Sequence, residues 1–219
     1  MKKRRQKLCA EIVAVAKSLD ASGLNRGASG NISARFGDSM LITPSAVPSV
    51  DLTPDLIAEM PLNSGQDGGF TGPLKPSSEW RFHSDLYGAR PDAKAIIHTH
   101  APWSTVLAVA RKPIPAVHYM IAAFGGPNIP LADYARYGTQ ELSDAVIRAI
   151  QGRNGCLMAN HGMLVLGPDL KRAEWLAHEL ETLAHQYAHA LMIGGPHVLS
   201  DVEIGEAMAA FASYRPTAG

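Results

Sequence analysis

Apolar positions recur along the chain with helical spacing near both ends, which predicts helices there. Five apolar residues near the start follow that spacing: Leu8, Ile12, Val15, Ala16 and Leu19. Gly23 lies where a C-terminal cap would stop this first helix. A longer apolar stripe begins after Asp169 and runs to Gly194-Gly195, and the capping-box pattern Ser200-Asp201-Val202-Glu203 predicts one more helix.

Short apolar runs with strand character lie between these helices. Residues 32–35 and 40–42 flank Gly37-Asp38-Ser39, which predicts a hairpin with a glycine-containing turn. Residues 61–76 are rich in glycine and proline, which favours an irregular connection. Strands that come partly as hairpins, with helices before, between and after them, indicate a layered α/β or α+β fold in which helices cover a sheet.

The apolar run at residues 95–100 predicts a strand that carries candidate chemistry. It ends in His98-Thr99-His100, and side chains two residues apart share one face of a strand, so both imidazoles can aim at one metal ion. Pro102 suits the first turn of a helix that runs through Ala110. The alternative is two exposed histidines at a strand end, because this spacing arises easily by chance in a chain with nine histidines.

A third histidine lies between two strands that we predict around residues 156–166. The turn between them holds Asn160-His161-Gly162, in which Gly162 suits a tight turn. With His98 and His100, this histidine could supply three neutral imidazoles at strand ends, and Glu79 could add a carboxylate. In catalytic zinc sites, three protein ligands hold the ion while the fourth position exchanges with water or substrate.

A rival histidine group lies in the predicted long helix. His185 and His189 have the i, i+4 spacing of helix-borne zinc sites, but the glutamate that metalloproteases carry directly after the first histidine is missing. We therefore interpret these two and His178 as residues of a polar face or an interface. His83 and His197 have no paired spacing, so we assign them no role in a site.

The run Ser77-Ser78-Glu79 is the second candidate element. Either serine can cap a helix that would carry Glu79 in its first turn. Hydroxyls and unpaired N–H groups at a helix N-terminus make an anion pocket that fits a phosphate, and the loops 27–31 and 43–46 could add donors. The alternative is a simple N-cap. No Walker or GxGxxG motif is present, so we do not expect nucleotide binding.

Composition limits the size of the fold and the kind of partner. A length of 219 residues with 46% hydrophobic content suits one core, so we predict a single domain over residues 1–219. Twenty acidic and twenty basic residues balance, so no overall field favours nucleic acid or an anionic membrane, and no run has the roughly 18–20 apolar residues of a membrane span. Cys9 and Cys156 are too few for a disulfide framework, which predicts a cytoplasmic protein with histidine and oxygen metal ligands.

Several segments, taken together, resemble the class II aldolase/adducin family. They run over nearly the whole chain, and their joint occurrence in this order is specific. The matching segments are Gly30–Ser33, Met40–Pro44, Pro76–His83, Ile97–His100, His118–Ala123, His161-Gly162 and Trp175–Glu179. The resemblance implies a zinc-dependent enzyme with a three-layer α/β fold, in which helices cover a central, mostly antiparallel sheet. It also implies a cyclic homotetramer with active sites between subunits.

The resemblance also implies a role for each matching site residue. His98, His100 and His161 would bind zinc, with manganese or cobalt as alternatives, and Glu79 would be the acid/base that also reaches the ion. The adjacent subunit would supply two catalytic tyrosines, Tyr119 and Tyr214. Six residues would hold the substrate phosphate: Ser29, Asn31, Ser45, Ala46, Ser77 and Ser78.

The implied reaction is reversible retro-aldol cleavage of a 1-phosphorylated ketose to dihydroxyacetone phosphate and an aldehyde. A metal would stabilise the negative charge of the enediolate. The Glu79 carboxylate would transfer a proton to or from the enediolate carbon, and Tyr119 would donate a proton to the aldehyde oxygen or accept one from it. The resemblance leaves four alternatives for the identity of the aldehyde. It is lactaldehyde from L-fuculose 1-phosphate, glycolaldehyde from ribulose 1-phosphate, acetaldehyde from 5-deoxyribulose 1-phosphate, or a methylthio-aldehyde from 5-methylthioribulose 1-phosphate.

Four positions depart from the family pattern. Ala28 replaces a threonine hydroxyl in the phosphate loop, where Ser29 could compensate, and Ala46 replaces a glycine. Tyr137 stands where a fucose-specific member has phenylalanine near the aldehyde pocket, and Asn160 replaces a histidine before the third ligand. The first two departures concern the affinity for the phosphate, and the other two concern the specificity for the aldehyde.

Two rival functions share the predicted fold. One is a sugar-phosphate 4-epimerase or a decarboxylase, but epimerases of the family usually carry aspartate where this chain has Glu79. The other is a non-enzymatic, adducin-like binding protein, which would have no reason to combine three histidines with Glu79 and Tyr119. We therefore expect a metal-dependent aldehyde-lyase.

Overall fold

Strands in the middle of the chain form one mixed sheet. The computed structural model describes residues 1–62 and 68–213, so Tyr214 and part of the predicted connection at 61–76 lie outside the described residues. The described strands are β1 (Asn31–Phe36), β2 (Ser39–Ile42), β3 (Ala58–Pro61), β4 (Ala95–Thr99), β5 (Leu131–Ala132), β6 (Gly155–Met158) and β7 (Gly162–Gly167). Their order in the sheet is β3-β2-β1-β4-β7-β6-β5.

Neighbouring strands of this sheet run antiparallel, except for β5 and β6, which are parallel. The predicted mostly antiparallel sheet is therefore confirmed. In the register of the central strands, Asn31 of β1 lies opposite His98 of β4, which in turn lies opposite Leu164 of β7. Directly opposed residues point to the same face of a sheet, so Asn31 and His98 project to the same side.

Helices cover both faces of the sheet. They are α1 (Lys2–Ala21), α2 (Trp80–Ala89), α3 (Pro102–Val109), α4 (Gln140–Ala149), α5 (Leu170–Met192) and α6 (Asp201–Ser213), with short 3-10 helices at Ser49–Asp51, Pro54–Leu56 and Tyr119–Phe124. None of the described helices has the length and hydropathy needed to span a membrane.

Two separate apolar cores show the three layers. Ile97 packs in the core formed with α1, α3 and α5, whereas its neighbour Ile96 packs in the core formed with α2 and α4. Successive side chains of a strand point to opposite faces, so a fully buried strand needs a cover on both sides. This arrangement confirms the three-layer α/β prediction and assigns His98, two residues after Ile96, to the face that α2 covers.

The helix caps follow from polar side chains at the predicted positions. The Asp169 carboxylate accepts a hydrogen bond from Arg172 N at 2.7 Å and caps α5. Ser200 and Glu203 bond each other's backbone N–H groups, which confirms the capping box before α6. The hairpin at Gly37-Asp38-Ser39 also forms as predicted, between β1 and β2.

The sequence interpretation missed β3, β5 and α4. β5 has only two residues, and β3 has four and ends at Pro61, so neither carries a readable alternation. Helix α4 does have a signal, because Thr139 caps it by accepting from Leu142 N and the apolar stripe continues through Val146.

A carboxylate from α5 holds the start of α3. Glu181 accepts hydrogen bonds from Trp103 N at 2.7 Å, from Ser104 N at 2.9 Å and from Ser104 Oγ at 2.8 Å. These bonds satisfy N–H groups that a helix start leaves without partners, and the negative charge suits the positive end of the helix dipole. The chain directly after His100 is thereby tied to α5.

Candidate active site

His98 is fixed by the sheet itself. It is fully buried in β4, and its Nδ1 lies 2.8 Å from the carbonyl oxygen of Met163 in β7. A carbonyl oxygen only accepts, so Nδ1 carries the proton and Nε2 presents its lone pair. A hydrogen bond of this kind on the second ring nitrogen is what orients histidines that bind metals.

The three predicted histidines converge. His100 follows β4 directly, with its Nε2 3.1 Å from the Nε2 of His98, and His161 lies in the turn between β6 and β7. One ring nitrogen from each histidine lies within 4.8 Å of the others. Among the described residues, this is the one group of three or more ligand-type side chains placed to hold a metal ion.

All three imidazoles are held in the neutral form. Burial lowers the pKa of His98 to about 3, with a further contribution from His100, and burial with the repulsion of His98 lowers the pKa of His161 to about 4. The pKa of His100 is lowered as well, mainly by burial. Metal ligation needs the neutral ring, so the cluster does not have to lose protons near pH 7 to bind a cation.

Glu79 lies against this cluster. Its Oε2 is 3.3 Å from His98 Nε2 and its Oε1 is 3.3 Å from His161 Nε2. The prediction that Glu79 belongs to the first turn of its helix is wrong by one position, because α2 begins at Trp80 and Glu79 occupies the N-cap. The expected serine cap is wrong too. The Ser77 hydroxyl accepts from Glu79 N at 3.3 Å, and no side chain caps α2.

The donor set fits a divalent cation. Glu79 Oε1 is buried and has no hydrogen-bond partner, and a buried oxygen left in this way costs free energy of about 1–3 kcal/mol or more. Three neutral imidazole nitrogens and one carboxylate oxygen around it are the ligand types of catalytic zinc sites. A cation among His98, His100, His161 and Glu79 would give that oxygen its missing partner.

Gly162 lets β7 approach the cluster. A Cβ atom there would lie 2.4 Å from Thr99 O, 3.0 Å from His100 Cδ2 and 3.3 Å from His98 Cε1. The prediction that Gly162 serves a tight turn is wrong. The left-handed residue of that turn is Asn160, at φ 54°, whereas Gly162 is the first residue of β7 and is needed for close packing.

The predicted phosphate ligands meet in one cleft beside the histidines. Glu79, His100 and His161 line this cleft, which has a volume of about 330 Å³. All six predicted residues line it: Ser29, Asn31, Ser45, Ala46, Ser77 and Ser78. Ala46 adopts φ 59°, a left-handed conformation that explains why a glycine suits this position.

Other predicted positions lie elsewhere or at the rim. Tyr119 is 55% exposed and lines a different cavity, with Trp175 and Phe211. The predicted Tyr137 is exposed and forms part of the cleft wall, together with Tyr134, an exposed tyrosine that the sequence analysis did not single out.

The rival histidines of the long helix do not form a group of three. His185 stacks on the ring of Trp103 with a centroid distance of 4.6 Å, and His189 packs beside it at 4.7 Å. Both are exposed on α5. Their contacts agree with the interpretation as surface residues.

Sequence reasoning assigned Asn31 to the phosphate but missed its contact with Glu79, and it missed the contact of His83 with Asn31. The Asn31 side chain donates from Nδ2 to Glu79 Oε2 at 2.9 Å, and the fully buried His83 contacts the other end of the same amide. The available signal was the spacing of four residues from Glu79, the N-cap of α2, to His83 in its first turns, which places both on one side of the helix.

Comparison with known proteins decides the family. Residues 10–188 match the family described as Class II Aldolase and Adducin N-terminal domain. The chain belongs to this family. Class II aldolases depend on a metal, and the histidine cluster is the group here that could bind one.

Individual relatives of this class II aldolase cover almost its full length. A 5-methylthioribulose-1-phosphate/5-deoxyribulose-1-phosphate aldolase of Rhodospirillum rubrum is 46% identical and covers 93% of this chain and 90% of its own. An L-fuculose phosphate aldolase of Escherichia coli O6:H1 is 44% identical over 96% of both chains. A solved L-fuculose 1-phosphate aldolase superposes with a TM-score of 0.89 at 36% identity, covering 94% of this chain and 96% of its own. The chain is therefore an enzyme of the aldehyde-lyase class.

Replacing Gly162 by alanine tests the packing of the metal centre. We expect Gly162→Ala to lose about 1–3 kcal/mol of stability and to bind zinc at least tenfold more weakly, because the new methyl group displaces Thr99, His98 and His100. Zinc competition with a chelating dye and urea unfolding measure both effects. Gly88→Ala in α2 is the control, since a Cβ there meets nothing within 4 Å. Unchanged zinc affinity in Gly162→Ala would contradict the account.

Proposed function

We propose that the chain is a zinc-dependent class II aldolase that cleaves a 1-phosphorylated ketose reversibly to dihydroxyacetone phosphate and an aldehyde. The observation that carries this proposal is the unpaired, buried Glu79 Oε1 beside three neutral histidines, at the end of a cleft lined by hydroxyls. The relatives named for fuculose phosphate and for methylthioribulose and deoxyribulose phosphates support it.

Zinc is the ion that the ligand chemistry favours. His98, His100 and His161 would hold it together with Glu79, which lies 3.3 Å from two of these histidines, and manganese and cobalt are alternatives. When bound, the ion supplies Lewis-acid stabilisation of the negative charge that develops on the ketose oxygens. Cys9 and Cys156 are buried in the two apolar cores, so thiolates do not compete for it.

Neutral donors would hold the phosphate. The hydroxyls of Ser29, Ser45, Ser77 and Ser78 line the cleft, and the N-terminal end of α2 adds its dipole. None of the described lining residues is a lysine or an arginine. The phosphate end of the substrate would therefore be recognised by hydrogen bonds, and the reacting carbons would lie toward the histidines.

Glu79 would be the acid/base. In cleavage, the bond between C3 and C4 of the ketose breaks, the aldehyde leaves with C4, and the remaining enediolate carbon takes a proton from the Glu79 carboxyl group. In condensation, the carboxylate removes this proton again. Oε1 is the oxygen suited to this transfer, because Oε2 already accepts from Asn31. Substrate would take the place of Oε1 at the ion, where the fourth ligand position exchanges, and Oε1 would then be free to carry the proton.

The adjacent subunit would complete the site. Tyr119 is exposed and does not line the cleft of its own subunit, which supports a role at a neighbour's site. There it would take up the proton of the ketose hydroxyl on C4, whose oxygen becomes the aldehyde oxygen. Tyr214 would come from the same neighbour. The proposed assembly is a homotetramer, each subunit a single domain, working in the cytoplasm.

The aldehyde half would lie beside the tyrosines of the cleft wall. Tyr134 and Tyr137 are the large side chains there, and both carry a hydroxyl on an aromatic ring. Such a wall can accept either a hydroxylated aldehyde or a methylthio group. Lactaldehyde, glycolaldehyde, acetaldehyde and methylthio-aldehyde are therefore all candidate products.

Neutralising the proposed acid/base separates chemistry from metal binding. We expect Glu79→Gln to keep its zinc and to lose about 10²–10⁴-fold in kcat, because an amide cannot exchange the proton. Product release assays and zinc content by atomic absorption measure the two effects. Glu141→Gln, an exposed change in α4, is the matched control and should behave as the parent. A zinc-loaded Glu79→Gln enzyme with full turnover would rule out the assigned role.

A panel of aldehydes identifies the substrate. Zinc-loaded protein is incubated with dihydroxyacetone phosphate and each of the four aldehydes, and the phosphorylated ketoses are identified by mass spectrometry and NMR. We expect condensation with at least one of them. We also expect Tyr137→Phe to change the ratio of kcat/KM between lactaldehyde and the methylthio-aldehyde, while KM for dihydroxyacetone phosphate stays the same. No condensation with any aldehyde would overturn the proposed function.

A further inference from the structure

A line of buried polar side chains runs from Glu79 into the core between β1 and α2. Every member is at least nine-tenths buried. The line consists of Glu79, Asn31, His83, Ser33 and Tyr87. Asn31 and Ser33 are two residues apart in β1, and the other three are spaced by four residues from Glu79 through α2, so one strand face meets one helix face.

The hydrogen bonds of this line can run in only one direction. The Glu79 carboxylate accepts, so Asn31 presents Nδ2 to Oε2, at 2.9 Å. The amide oxygen of Asn31 then faces His83 Nε2. Since an amide oxygen only accepts, His83 carries its proton on Nε2.

The rest of the line supports this tautomer. His83 is fully buried, its hydrogen-bond partners Ser33 and Asn31 are neutral, and burial lowers the pKa of its imidazole far below the usual value. The single proton therefore stays on Nε2, and Nδ1 accepts from Ser33 Oγ at 2.7 Å. Ser33 Oγ in turn accepts from the Tyr87 hydroxyl at 2.9 Å.

We propose that His83 is a positioning residue: its Nε2–H holds the Asn31 amide in the one orientation that keeps a donor on Glu79 Oε2. This inference rests on the proposed function of Glu79. Both carboxylate oxygens face the histidine cluster, Oε2 at 3.3 Å from His98 Nε2 and Oε1 at 3.3 Å from His161 Nε2, but Oε1 has no hydrogen-bond partner. With Oε2 occupied by the Asn31 donor, the transferable proton is assigned to Oε1.

Loss of this donor would release the amide. If the Asn31 amide rotates by half a turn, its oxygen faces the Glu79 carboxylate, and the two oxygens repel each other. Both are then buried acceptors without a donor. The Ser33 and Phe82 contacts of the ring prevent rotation of His83 itself, since Phe82 stacks on it at a centroid distance of 4.7 Å. The imidazole thus acts on Glu79 through Asn31 and does not touch the substrate.

Two substitutions of similar polarity separate positioning from packing. A glutamine side chain reaches as far as the Nε2 of imidazole, whereas asparagine reaches only as far as Nδ1. We expect His83→Gln to keep kcat within about threefold of the parent and His83→Asn to lose about ten- to hundredfold, both with full zinc content. Urea unfolding is measured for both variants. If His83 acts only through packing, the loss of kcat should follow the loss of stability.

Equal kcat values in His83→Asn and the parent, or equal losses in both variants, would overturn the proposal. Loss of zinc in His83→Asn would also overturn it, because the effect would then lie in the metal site. If His83→Asn does not fold, Ser33→Ala replaces it. It frees Nδ1 to take the proton, and we expect about a fivefold or larger loss of kcat at full zinc content. Ser33→Ala with parental kcat would contradict the proposal.

A neutron structure of the zinc-loaded parent gives a readout that does not depend on activity. We expect a proton on His83 Nε2, none on Nδ1, and the Asn31 NH₂ group toward Glu79. A proton on Nδ1, or the reversed amide, would overturn the proposal even in an active enzyme. An inactive parent with the expected protons would instead contradict the proposed function and leave the positioning of the carboxylate intact.

Discussion

The hydrogen bond from His98 Nδ1 to the carbonyl oxygen of Met163 is the contact on which the site depends. It ties an imidazole to the backbone of the next strand, in the centre of the sheet, and leaves one lone pair toward α2. The approach of the two strands is close enough that only a glycine fits at position 162. Because the strand register is fixed by two apolar faces, the position of His98 is as rigid as the sheet.

The other polar groups of the site are placed relative to His98. Asn31 lies opposite His98 across the β1–β4 pairing, and its amide reaches the carboxylate at the start of α2. That carboxylate meets the histidine nitrogens with one oxygen already satisfied and the other without a partner. The unpaired oxygen and the neutral rings together make a site that costs free energy while it is empty and gains it on binding a cation.

Local pattern was enough to predict that the three histidines converge, but not what orients them. The sequence shows the spacing of His98 and His100 and the turn at His161 directly. Each lies at the end of a predicted strand, and the ends of neighbouring strands lie on one edge of a sheet. The partnership of Asn31 with Glu79 depends on strand register across residues far apart in sequence, so no local period reports it. The sequence assigned His83 no role in a site, because its proposed role comes from a contact with Asn31 and not from its spacing to another ligand.

The most direct test of the metal-dependent acid/base site is hydrogen exchange into dihydroxyacetone phosphate alone. In D₂O, the zinc-loaded enzyme should replace one hydrogen on the hydroxymethyl carbon of this compound without any aldehyde, because the proposed removal of a proton by Glu79 to form the enediolate would be the first half of condensation. Chelation of the metal should stop this exchange, and added zinc should restore it. Absence of exchange in the zinc-loaded enzyme, or exchange that persists after chelation, would contradict the account.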